Sequence, residues 1–182
     1  MKKLGWIASV GAIGLLAAAC AAVAAGKKGA QTMPAGKAAA AIEARSGSTV
    51  SGTAEFTMHD GKMMITVSVK GAPPGPHAVH IHEKGDCSAP DASSAGGHFN
   101  PAGHQHGAPD ATEHHAGDLG NITIGADGTG SLMIHSSDLS LSGANSVIGR
   151  AVIVHEKTDD FVTQPTGNAG GRIGCGVINS GS

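Results

Sequence analysis

The sequence predicts an all-β domain, an antiparallel sandwich or barrel, and three observations carry that prediction. Helical patterning is nearly absent, while short stretches alternate apolar and polar residues with a period of two. Turn signals recur between those stretches, with 29 Gly and 8 Pro in 182 residues. Aromatic residues make up only 2%, so the core has to be assembled from Val, Ile, Leu, Ala and Met in short elements.

The clearest strand is the one in which Ile65, Val67 and Val69 alternate with Thr66, Ser68 and Lys70. Thr53 to Met58 precedes it across Asp60-Gly61, a dipeptide that tolerates positive φ and marks a hairpin. Asn121 to Ile124 and Ser131 to Ile134 flank Asp127-Gly128 in the same way. Val147 to His155 reads as a longer, continuously apolar strand that ends in a histidine.

Ahead of the domain, residues 1–20 have two lysines, an apolar run and small residues before Cys20, the layout of an export signal. The segment resembles a lipoprotein signal in which Cys20 becomes the lipidated first residue, although Ala17 stands where a larger aliphatic residue is usual. Cleavage after a later alanine is an alternative. So is an uncleaved anchor, because the apolar stretch approaches the roughly 20 residues that span a bilayer. Residues 21–40 are rich in Lys, Gly, Ala, Gln and Pro and read as a flexible tether, leaving 41–182 as a single domain. All three readings of the start place that domain outside the cytoplasm, in the periplasm or cell envelope.

Chemistry concentrates between His80 and Asp118. In AVHIHE, His80 and His82 lie two apart on a predicted strand, so their imidazoles share a face. The following loop offers His98, His106, His115 and Asp118, three imidazoles and a carboxylate that suit a closed tetrahedral zinc site. A histidine-only set suits copper. With Cys20 removed or lipidated, Cys87 and Cys175 form an even pair in an exported chain, for which a disulfide is the default. A thiolate metal site is the alternative. Twelve Lys and Arg against 14 Asp and Glu, with no phosphate-binding loop, basic stripe with aromatics or Ser-His-Asp arrangement, exclude nucleic acid, nucleotide and hydrolytic readings.

HAVHIHEKGDC, SAGGHFNP, HGAPD, EHHAGDLGN, LSGANSVIGRAVIVHEKTDD and TGNAGGRIGCGVI resemble, in order, the signature segments of copper-zinc superoxide dismutase. The likeness runs from about Thr53 to the C-terminus. It implies a Greek-key β-barrel with long metal-binding loops that converts superoxide to oxygen and hydrogen peroxide. It implies copper held by His80, His82, His98 and His155, and zinc held by His98, His106, His115 and Asp118, with His98 shared. Asp159 matches an aspartate that accepts hydrogen bonds from one copper and one zinc histidine, and Arg172 matches the active-site arginine. Thr166 matches a threonine that narrows the channel beside that arginine, and Cys87 and Cys175 match the family's disulfide. A homodimer is compatible with the likeness, but no self-complementary patch is legible.

The segment FVTQPTGNAGG after HEKTDD departs from the family by lacking charged residues, so attraction of an anion falls to Arg172, with Lys84 as a further source. Ala78 also replaces a glycine common before the HxH strand. Of the histidines outside the ligand set, His77 is expected to hydrogen-bond in the core, and His104 and His114 to sit in solvent. His59 with Met58, Met63 and Met64 reads as strand packing or as an accessory copper group. A metal-buffering or delivery protein without turnover is the alternative function; Arg172 argues against it, because storage needs no anion-docking guanidinium.

Overall fold

The computed structural model describes residues 36–181 together with Met1; the expected export signal, Cys20 and most of the tether lie outside them. Its strands are β1 (Lys37–Ala44), β2 (Ser51–His59), β3 (Lys62–Lys70), β4 (Gly75–His82), β5 (Asp118–Ile124), β6 (Thr129–Ser136), β7 (Ala151–His155), β8 (Arg172–Val177) and β9 (Asn179–Ser180). No α-helix occurs among the described residues.

Every strand pairing is antiparallel, in the order β5-β4-β7-β8-β1-β2-β3-β6, with β9 on β1. The end strands β5 and β6 are joined by a tight turn in which Gly125 N–H donates to Thr129 O at 2.8 Å, so the sheet is nearly closed into a barrel. The β2-β3 turn is the expected Asp60-Gly61 pair, with φ of 49° and 77°, the two positive values that a type I′ hairpin requires.

Alternation places the site. On β4, Val79 and Ile81 point into the barrel core beside Phe56, Ile65, Val67 and Ile122, and on β7 so do Val152 and Val154. Burying each such side chain contributes about 1.5–3 kcal/mol. His80 and His82 therefore face the outside of the barrel wall, where long loops cover them. The β4-β5 register shifts between Ala78 and His80, and the β7-β8 register between Val154 and His155. These irregularities adjoin two of the buried histidines, the usual placing of a bulge that re-aims a side chain.

Two expected boundaries move. β1 starts at Lys37, so residues 37–40, expected as tether, are strand: Ala38, Ala40 and Ile42 are buried in alternation, and small side chains suffice where strands crowd. β7 starts at Ala151 rather than Val147, because Gly149 has φ +74° and turns the chain before the strand.

Candidate metal centre

Six histidines and two aspartates, His80, His82, His98, His106, His115, His155, Asp118 and Asp159, are buried together. They come from β4, the start of β5, the end of β7 and the two loops 83–117 and 156–171. Phe99 N–H donates to Ile81 O at 2.8 Å and Glu83 N–H to Gly97 O at 2.9 Å, which lays the His98 segment along the end of β4. Arg150 stacks 3.8 Å over the Phe99 ring and holds that segment from the other side. The disulfide Cys87–Cys175 ties the same loop to β8, closing 88 residues of sequence. Cys87 and Cys175 are thus a staple and not thiolate ligands.

One ligand atom each from His80, His82, His98 and His155 lies within 4.8 Å of the other three. Their outward nitrogens are occupied: His80 Nε2 faces Asp159 Oδ2 at 2.8 Å, and His82 Nδ1 donates to Gly96 O at 2.9 Å. His155 Nδ1 lies 3.4 Å from Gly170 O, and His98 Nδ1 2.9 Å from Asp118 Oδ1. The remaining nitrogens, His80 Nδ1, His82 Nε2, His98 Nε2 and His155 Nε2, are buried without a hydrogen-bond partner. Leaving a buried polar atom unmade costs about 1–3 kcal/mol, so four converging orphans fit a cation that has neutral imidazole ligands.

A second group surrounds Asp118. Its Oδ1 lies 2.9 Å from His98 Nδ1 and 3.3 Å from His115 Nδ1, and its Oδ2 lies 3.0 Å from His106 Nδ1. His115 Nδ1 and His98 Nδ1 are 3.2 Å apart. These are close to the roughly 3.3 Å edge of a tetrahedron whose bonds to zinc are about 2.0 Å. His106 Nδ1 has no hydrogen-bond partner of its own. His98 belongs to both groups through different nitrogens, so the residues present fit two cations joined by one imidazole.

Asp159 braces both groups. Its Oδ2 takes His80 Nε2 and its Oδ1 takes His106 Nε2, each at 2.8 Å, which fixes both ring orientations. Gly167 passes so close, with φ +65°, that a Cβ there would overlap the Asp159 carboxylate and the His106 ring. Asn121 clamps the Asp159 backbone in both directions, at 2.8 and 3.0 Å, and the Gln164 amide does the same to His106 at 2.8 and 2.9 Å. Neither residue stands out by type or spacing. Asn121 has one sequence cue, its place inside EHHAGDLGN, and Gln164 has none.

Burial, followed by repulsion between the rings, pushes His80 and His155 well below the ordinary imidazole value and His82 down to about 2. His98 is lowered as well, with burial outweighing the pull of Asp118. Burial works against the Asp118 charge, but hydrogen bonds from His115 and His98 prevail and hold the carboxyl below its usual range. His80, His82, His98 and His155 are therefore neutral and the Asp118 carboxylate ionised, the states that a metal ligand needs.

Arg172, paired with His155 across β7-β8, donates from Nη1 to Ala92 O and from Nη2 to Gly96 O, both at 2.7 Å. It is only partly buried. Of the five N–H donors of a guanidinium, two are used. Thr166 is exposed in the turn before β8, and Lys84 is exposed at the start of the first loop. His77 is buried between His155 O and Pro73 O, each at 2.9 Å, as expected of a core histidine. His104 is exposed, whereas His114 is only half-exposed and lies 3.3 Å from Asp138, so the expectation of a free loop histidine holds for the first alone.

A family model described as copper/zinc superoxide dismutase (SODC) matches residues 50–178. Among solved structures, the chain is similar to a crystal structure of the clock protein EA4, at 40% identity and a TM-score of 0.72, covering 84% of this chain and 98% of that one. Fold, paired histidine groups and family match agree: the chain belongs to the copper/zinc superoxide dismutase family.

Proposed function

We propose that the protein is an exported superoxide dismutase of the cell envelope, with copper in the four-histidine group and zinc in the group around Asp118. The observation that carries this reading is the set of four unpartnered buried nitrogens beside an arginine that retains free N–H groups. Copper, when bound, supplies a one-electron couple that oxidises one superoxide to oxygen and reduces a second, which leaves with two protons as hydrogen peroxide.

The chain's own residues do the rest. Arg172 draws the superoxide anion to the open side of the histidine group and orients it with its unused donors. Its fixed position comes from two carbonyls, so no rotamer freedom is lost when the anion docks. His98 Nε2 is the atom at which a proton can be held between the two half-reactions, because Nδ1 is committed to the Asp118 group. Asp159 keeps the His80 and His106 rings oriented throughout. Thr166 narrows the approach beside Arg172, Lys84 adds positive charge at the loop edge, and lipidated Cys20 attaches the protein to the membrane.

The test is to load purified protein with both metals and follow superoxide decay. Acceleration that depends on copper and is lowered in Arg172→Ala supports dismutation. Tight metal binding without acceleration favours a buffering or delivery role.

A further inference from the structure

The barrel carries a soft, sulfur-bearing group on the sheet that does not hold the histidine centre. On β6, Leu132 and Ile134 pack against the core, so Met133 and His135 point outward, and Met133 is 64% exposed. On β3, Met63 and Ile65 are buried in the core, so Met64 and Thr66 share the outer face. The register sets Met64 directly opposite His135 and Thr66 opposite Met133. Directly opposed residues have Cβ atoms about 4.5–5.5 Å apart, and the diagonal pair Met64 and Met133 about 7–8 Å, within reach of long side chains. His59 lies on the same face of the neighbouring strand, where Thr57 opposes Met64.

The rest of this face is polar and charged, with Glu55, Thr57, Lys62, Thr66, Lys70 and Ser131 among its residues. A methionine exposed among hydroxyls does no core packing. Of the methionines near His59 in sequence, Met63 and Met58 are committed to the core, which leaves Met64 and brings in Met133 from a distant strand. Two thioethers and an imidazole form a ligand set that selects copper(I) over zinc, calcium or magnesium.

We infer that Met64, Met133 and His135 form an exposed copper(I)-binding site on the β3-β6 face, separate from the buried histidine centre. It takes the reduced ion as a soft ligand complex, with no change in oxidation state. The buried centre offers only nitrogen and oxygen donors, so copper–sulfur coordination that disappears when Met64 and Met133 are replaced reports the new site.

The experiment takes the full chain already loaded with copper and zinc, adds copper(I) anaerobically in competition with a copper(I) chelator, and measures bound copper and X-ray absorption. The expected result is one further copper per chain with sulfur scattering. The Met64→Leu, Met133→Leu double variant should lose both while keeping the metals of the buried centre. No further copper, further copper without sulfur scattering, or an unchanged result in the double variant overturns the site. Because the methionines are on an outer face, leucine preserves the fold, and an unchanged thermal midpoint verifies it.

Discussion

His82 and Arg172 donate to the same carbonyl oxygen, that of Gly96, at 2.9 and 2.7 Å. A carbonyl can only accept, so His82 carries its proton on Nδ1 and presents a bare Nε2 to the other three histidines. The guanidinium is fixed by the same peptide. One loop residue therefore sets both a ligand's tautomer and the position of the cation beside it, and the disulfide anchors the loop that carries that residue.

Arg172→Ala is expected to lower dismutation and weaken azide binding while leaving bound copper and zinc unchanged. Removing the side chain leaves Gly96 O to His82 alone and keeps every ligand in place. Loss of copper from this variant would show that Arg172 is a structural strut and not an anion dock.

His98→Ala removes the one imidazole common to both groups. Activity is expected to fall to near background while His80, His82 and His155 still retain copper, measured by metal analysis alongside the decay assay. Undiminished turnover would reject the shared-ligand assignment.

For Asp159→Asn, the carboxylate that takes His80 Nε2 and His106 Nε2 becomes an amide with a single acceptor oxygen. Loss of such a brace typically weakens metal affinity about 10–100-fold. Competition with a zinc chelator measures it, and wild-type retention would mean the two rings hold their orientation unaided.

Reducing Cys87–Cys175 is expected to lower the thermal midpoint. A staple across this many residues is worth about 4–5 kcal/mol in the chain-entropy model. A midpoint unchanged once free thiols are confirmed would mean that the loop is held by Arg172 and Arg150 alone.

The metal-free protein should lose stability in acid. His80, His82 and His155 have folded-state values below the unfolded value near 6.5, so the unfolded chain binds more protons as the pH falls. Stability is then complete above about 6.5 and declines below it, down to about 2 for His82. Equilibrium unfolding of chelator-treated protein between pH 7 and about 4 reads the slope; a flat profile would contradict it.

Much of this architecture was legible in the chain, for reasons that individual residues make plain. Asp60-Gly61 marks its hairpin because few other pairs take two positive φ angles. The ligand histidines are legible because HxH on a strand fixes their common face. β1 was misread because its alternation is written in Ala38, Ala39, Ala40 and Ala41, where a buried and an exposed residue look alike. The carbonyls of Gly96 and Ala92 have no residue-type signal, since any residue carries one. The β3-β6 pairing that joins Met64 to Met133 is set by tertiary register, which local pattern does not encode.

The most direct measurement is copper and zinc content together with superoxide decay on the purified native protein. The account predicts one copper and one zinc per chain and catalytic acceleration that disappears when copper is removed and returns on adding it back. Protein carrying both metals in full, yet leaving superoxide to decay at its spontaneous rate, would contradict it.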